Sequence, residues 1–350
     1  MRHRLRYGLI LATVVSTATV SAEETALVPE RATQSAAACR AAMEELAKQS
    51  TPPAQPAKQP PVPSAQSVQL VPSHLPPGKK WKLVWSDEFN GTELDRTKWD
   101  FRLHMMHRRH KTWTEDAASL DGQGNLLLKV YEKDGDYHSS QLQTGSNYMD
   151  RPPDGRFTQQ FAWPIAKIAP AKFMHKYGYY EIRCKLPKQP GWWAAFWLQS
   201  PTIGSTLDPG RSGVEIDIME NFTRDGVVSH NIHWNGYGKD LRSKGSGPVR
   251  RPELADGYHT FGLEWNAKEY VFYTDGKVTW RVDGPISHRE EFILVSTECH
   301  GYRQGGPAPE LKQARLPDYF IVDYVRVFDE VNDTAATPGA ASRPAPRSAG

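Results

Sequence analysis

Residues 214–222 read VEIDIMENF, with three carboxylates, Glu215, Asp217 and Glu220, inside six residues of an otherwise apolar run. Val214, Ile216 and Ile218 alternate with Glu215 and Asp217, the period-2 pattern of a β-strand with one buried and one open face. Glu220 breaks that rhythm. Five residues on from Glu215 it should point the other way, unless a β-bulge absorbs one extra residue and turns it back toward the other two acids. Gathering three like charges on one face is costly, and a purely structural strand has no use for it.

Working outward, residues 177–186 (YGYYEIRCKL), 269–280 (EYVFYTDGKVTW) and 318–328 (DYFIVDYVRVF) are rich in aromatic and β-branched residues. Asp275-Gly276 lies between two such runs, a strong hairpin signal. No sustained helical period interrupts them, so the fold class is all-β, an antiparallel sandwich or jelly roll. All eleven tryptophans fall between Trp81 and Trp280, which bounds the core. Four segments follow: a signal peptide over 1–22, a tether over 23–80, a catalytic domain over 81–330 and a disordered tail over 331–350. In the first, Arg2, Arg4 and Arg6 precede an apolar run, 8–20, and Val20-Ser21-Ala22 suits cleavage. The run is short for a membrane span. Residues 23–77 lack Trp, Tyr and Phe, and 51–77 are rich in Pro, Gln and Ala, so their deletion is expected to leave activity and stability unchanged. Residues 36–48 favour a short helix.

The net charge of +3 makes no case for nucleic acid or a membrane surface as partner. Three cysteines, Cys39, Cys184 and Cys299, allow at most one internal disulfide, with Cys184 and Cys299 as the candidate pair. In GWWAAFWL, 191–198, alternation places Trp193 and Trp197 on one face and Trp192 and Phe196 on the other. Flat apolar faces of this kind stack on the C–H face of a sugar ring. Asn231, His233 and Asn235 alternate in the run after the carboxylate strand, which is expected to pair with it across a turn near Asp225-Gly226.

LVWSDEFNGTELDRTKWDF (from Leu83), GNLLLKV (Gly124), YGYYEIRCKLP (Tyr177), GWWAAFWL (Gly191), EIDIMENF (Glu215), YHTFGLEW (Tyr258) and FIVDYVRVF (Phe320) occur in order. In that order the chain resembles glycoside hydrolase family 16, the laminarinase, lichenase and agarase family. The resemblance implies a concanavalin-A-like jelly roll with an open concave cleft, and a nucleophile, its helper and an acid/base at Glu215, Asp217 and Glu220. A bulge that compresses the Glu215–Glu220 offset to about four strand steps puts their Cα atoms ~13 Å apart at ~3.3 Å per residue. Inward-leaning side chains then leave roughly the 5–5.5 Å carboxyl gap of a retaining enzyme. A calcium cage is the competing reading of the triplet.

The family pattern favours Trp193 and Trp197 for the cleft and gives His233 a place near the acid/base. Two departures bear on substrate. ILVSTECHGYRQGG, 293–306, puts Glu298 and His300 at candidate cleft positions where laminarinases carry other residues. The basic loop HMMHRRH, 104–110, offers Arg108 and Arg109 to an anionic sugar, while its histidine spacing fits no strong metal motif. The expectation is an exported, monomeric, retaining endo-β-glycanase. A β-1,3-glucan is the first substrate and an algal galactan of the agarose, porphyran or carrageenan kind the second. Transglycosylation and a non-catalytic sugar-binding jelly roll are the alternatives. No cofactor is required; a structural calcium, with Glu88 and Asp323 as ligands, is implied by resemblance alone.

Overall fold

The computed structural model describes residues 70–106, 108–148, 170–222 and 226–331. The signal segment, the 36–48 helix, Cys39, the turn at Asp225 and the tail from 332 lie outside the described residues. Two antiparallel sheets face one another. The back sheet runs in the order Lys277–Val282, Tyr270–Thr274, His259–Trp265, Gly178–Lys185, Asp318–Glu330, Leu126–Lys133, Ala118–Leu120, with Trp81–Asp87 also paired to Asp318–Glu330. The cleft sheet runs Arg242–Gly245, Val227–Trp234, Glu215–Asn221, Trp192–Gln199, Phe292–Cys299, Gln141–Gln143, Asp100–Phe101. Strands adjacent in these sheets are often distant in sequence, the non-local wiring of a jelly roll.

The core is the space between the sheets. Trp192, Phe196, Ile216, Ile218 and Ile232 meet Tyr180, Ile182, Phe261, Leu263 and Phe272 there, all fully buried. Burying each such side chain contributes about 1.5–3 kcal/mol relative to leaving it in water. Trp192 and Phe196 therefore point inward and leave Trp193 and Trp197 for the opposite face, as alternation requires. Asp275 (φ 49°) and Gly276 (φ 70°) both take left-handed backbone between Tyr270–Thr274 and Lys277–Val282. Two positive φ values in a two-residue loop match the right-handed twist of the hairpin.

The structure corrects two expectations. Cys184 lies on the back sheet and Cys299 on the cleft sheet; both are buried free thiols. Burial also pushes the Cys299 thiol up to about 12. The tether does not extend to residue 80: the chain divides between Leu70 and Val71, and 71–79 belong to the domain. The backbone N–H of His74 donates to Glu181 Oε2 at 2.9 Å, and Tyr179 donates to the His74 carbonyl at 3.0 Å. Arg326 donates to the Val71 carbonyl and Ser73 Oγ, and Lys79 pairs with Glu264 at 2.8 Å. Backbone and short polar groups make this strap, so its lack of aromatic residues did not mark it as free.

Candidate active site

The carboxylate strand is bulged where its pattern breaks. Asp217 pairs with Asn231 and Glu220 with Ser229, so Ile218 and Met219 together oppose the single residue His230. Both are fully buried, two core residues in succession, and Glu220 returns to the face of Glu215 and Asp217. On the partner strand, Glu215 and Glu220 align with His233 and Ser229, four residues apart. The bulge thus compresses the five-residue offset to four steps. On the other side, Glu220 lies opposite Ala195 and Asp217 opposite Trp197, and a methyl beneath Glu220 leaves it room.

His230 holds this irregularity in place. Its Nδ1–H donates to the Ile218 carbonyl at 2.7 Å, and its Nε2 accepts from Thr279 on the back sheet at 2.8 Å. A carbonyl can only accept, which fixes the tautomer. Burial lowers the imidazole to about 4, so it is neutral and can make both bonds.

Around the triplet, each carboxylate has a different set of neighbours. Glu215 Oε2 accepts from Gln199 Nε2 at 2.9 Å and from the Tyr237 hydroxyl. Glu220 Oε2 accepts from Asn231 Nδ2 at 2.5 Å. Asp217 Oδ2 stands 3.2 Å from His233 Nε2, whose Nδ1 is 2.6 Å from Ser243 Oγ. Burial and then the Asp217 charge raise Glu215 to about 7 and Glu220 to about 8. Glu215 is the lower because Tyr237, His233 and Arg102 favour its ionised form. Burial works to lower His233, but Asp217 outweighs it and lifts the imidazole to about 9. Donor atoms of Glu215, Asp217 and His233 lie within 4.8 Å of one another, the spacing of a metal site. A protonated imidazole has no lone pair to give a metal. The group is better described as a proton-bearing network, and Glu220, the third carboxylate of the calcium-cage reading, is not among its members.

A cavity of about 190 Å³ opens beside Glu215, bounded by Trp113, Trp197, Tyr237, Arg102 and Arg303. Trp197 is a cleft residue, as expected: its Nε1 donates to Ser296 Oγ at 3.0 Å and the Arg102 guanidinium lies 5.3 Å from its ring. A second cavity of about 270 Å³ beside Glu220 is lined by Phe222, Val228, Ser229, Asn231 and Pro248. Trp193 is on the cleft face but half covered, stacked with Phe222 at 5.4 Å and close to His300 at 5.0 Å. Phe222, 43 % exposed, presents the accessible aromatic surface of that group.

Three sequence assignments are corrected here. Glu298 lies in the floor of the cleft sheet opposite Trp193, but it is 1 % exposed and covered by Arg303. Arg108 and Arg109 stand exposed on the short hairpin His104–Met105/Arg108–Arg109, where Arg109 donates to the carbonyls of Leu103 and His110. The cations at the cavity are Arg102 and Arg303. Glu88 is held by both arms of Arg326, at 2.9 and 2.7 Å, and Asp323 by Arg183, so each proposed calcium ligand faces a guanidinium. Gln199 continues the Trp193/Trp197 alternation by one step and was missed, whereas Tyr237, Arg102 and Arg303 reach the site from loops and turns that carry no period.

Residues 81–329 match the family model described as "Beta-porphyranase A-D, GH16 domain". The chain belongs to glycoside hydrolase family 16. Among its relatives in the family, the glucan endo-1,3-beta-glucosidase A1 of Niallia circulans is 30 % identical over 71 % of this chain and 38 % of its own length. A beta-glucanase of Rhodothermus marinus is 29 % identical over 71 % of this chain and 85 % of its own. The laminarinase structure from Rhodothermus marinus superimposes with a TM-score of 0.52 at 26 % identity, covering 73 % of this chain and 99 % of that one. The family 16 chain thus covers well under half of the first relative and most of the second.

Proposed function

We propose that this chain is an exported, retaining endo-β-glycanase acting on a galactan that carries anionic groups, of the porphyran kind. The observation that carries the substrate is the pair of guanidinium groups, Arg102 and Arg303, at the cavity beside Glu215. Arg303 gives Nε and Nη2 to Glu298, so what the pair offers a sulfate or carboxylate oxygen is its remaining guanidinium N–H groups. The cavity beside Glu220 has no cation in its lining and suits a neutral ring.

In the reaction, Glu215 attacks the anomeric carbon while Glu220 gives its proton to the departing glycosidic oxygen. A glycosyl-enzyme forms on Glu215; Glu220, now a carboxylate, takes a proton from water whose oxygen attacks the anomeric carbon, displacing the Glu215 carboxylate and releasing the sugar with its configuration retained. The four-step alignment of the two glutamates favours this short spacing over the wider gap of an inverting enzyme. Tyr237 and Gln199 orient the nucleophile, and Asp217 keeps Glu220 protonated. The N-terminal Arg-rich and apolar run supports export.

A neutral β-1,3-glucan is the second reading, favoured by the names of the glucanase relatives and by the aromatic wall of Trp113 and Trp197. One assay separates them: reducing ends released from porphyran, agarose, κ-carrageenan, laminarin and lichenan, with the first-formed anomer followed by NMR. Fastest release from a sulfated galactan, with the β-anomer appearing first, is expected. Preference for laminarin would replace the galactan, and an initial α-anomer would replace double displacement. Longer oligosaccharides in place of new reducing ends would mark a transglycosylase.

A further inference from the structure

Glu298 is a buried charge that the reaction above does not use. Arg303 Nε donates to its Oε1 at 2.6 Å and Nη2 to its Oε2 at 2.7 Å, and His110 Nε2 lies 3.5 Å from Oε1. Burial works to raise this carboxyl, but the hydrogen bonds from His110 and Arg303 prevail and hold it below its ordinary range. A buried ion pair is a weak stabiliser compared with apolar packing of the same volume, so stability alone gives little reason for one in a cleft floor. Arg303 stands on a single tight turn, Tyr302–Gln304, between Gly301 and Gly305, both in left-handed backbone. Its guanidinium lies 5.2 Å from the Trp193 ring and borders the same cavity as Glu215. The fork uses Nε and Nη2 and leaves the N–H groups of Nη1 for the cavity.

We propose that Glu298 is a positioning residue. It clamps the Arg303 guanidinium over Trp193, so that Nη1 meets a substrate oxygen in a fixed direction, and it cancels the guanidinium charge beside the catalytic pair. The first role rests on the glycanase reading but not on the substrate being anionic. The second follows from the groups that act on Glu220: Glu215 and Asp217 on its own strand, Asn231 and His233 on the next, and the guanidinium of Arg303, while that of Arg102 acts on Glu215. Without Glu298, Arg303 would add an uncompensated positive charge and favour the ionised form of Glu220.

The test is a cycle of Glu298→Gln, Arg303→Ala and the double variant in the full chain, on whichever polysaccharide the parent cleaves best. Each single variant is expected to raise KM by about tenfold with kcat within about threefold, and the double to be no worse than either. Glu298→Gln should also move the alkaline limb of kcat/KM toward lower pH. Arg303→Lys, at a half-exposed side chain that tolerates change, keeps the charge and loses the fork; it should keep the KM defect and the parental limb. Parental KM and limb in Glu298→Gln, a lowered Tm with unchanged kinetics, or additive losses in the double would each overturn the proposal. Should Glu298→Gln not fold, parental KM in Arg303→Lys would overturn it equally. Non-additive losses on a neutral glucan would support this clamp while overturning the galactan; additive losses on a sulfated galactan would do the reverse.

Discussion

Glu181 on the back sheet and Glu220 on the cleft sheet are both glutamates set in apolar strands, and they keep different company. Glu181 is fully buried and accepts from the His74 N–H and the hydroxyls of Tyr179 and Tyr324 at 2.7–3.1 Å. Glu264 beside it has Lys79 and Tyr273. Glu220 has one amide donor and two carboxylate neighbours. A carboxylate whose oxygens are all engaged is structural, whereas one short of donors holds a proton that it can transfer. The difference lies in the donors and in the carboxylate neighbours, since the residue and the strand are alike.

The strongest way to break this comparison is Glu215→Gln and Glu220→Gln, each expected to lower kcat by about three orders of magnitude or more. Retention of a tenth of the parental rate would remove the assigned roles. The same variants probe stability with a definite sign. Both carboxyls titrate above their ordinary 4.5 in the folded chain, so folding binds protons between that value and about 7 or 8. Stability from this source is full below pH 4.5 and is lost as pH rises through 7–8. Each glutamine variant should therefore melt a few degrees above the parent at pH 9, with no gain at pH 4. A lower Tm at pH 9 would show that the acids stabilise the cleft.

On the back sheet, donors should be indispensable. Deleting residues 23–69 is expected to leave Tm unchanged, while extending the deletion through Lys79 orphans groups around Glu181 and Arg326. Each buried orphan costs about 1–3 kcal/mol, enough to lower Tm by on the order of 10 °C. Equal melting of the two truncations would make the strap dispensable.

Activity should follow a narrow bell in pH. The acid limb near 7 reports ionisation of Glu215 and the alkaline limb near 8 loss of the Glu220 proton, as macroscopic values of the pair. A plateau from pH 5 to 7 would contradict the burial and the Asp217 charge that raise Glu215. The smallest effect is expected from Arg108→Ala with Arg109→Ala, within about twofold in KM on any charged galactan, because exposed charges on a hairpin are screened. A larger rise that shrinks in salt would return the hairpin to the cleft.

The triplet, its bulge and the split between Trp192/Phe196 and Trp193/Trp197 were legible because strand periodicity is local and a break in it is visible. Glu298 was placed on the correct face and given the wrong role, since the turn that folds Arg303 over it depends on Gly301 and Gly305 rather than on any pattern around position 298. Arg102 and Tyr237 come from loops, where side-chain direction has no period to read. The strap was hidden for another reason: its contacts are backbone groups and a few polar side chains, Ser73, His74 and Lys79, none of which marks a core segment.

The bulge makes the active site depend on a number as well as on identities. Between Asp217 and Glu220 stand two residues where strict alternation has one, and both face the core. Exchanges among apolar side chains at 218 and 219 preserve the arrangement, and removing either residue would leave one residue against His230, so that Glu220 still falls opposite Ser229 on the cleft face and only the bulge is lost. What the second core residue supplies is the stronger local twist of a bulge, which sets the direction in which Glu220 leans over the cleft. A family drifting by substitution can repack this strand freely; one drifting by deletion here would lose the twist of the bulge rather than the face on which Glu220 stands.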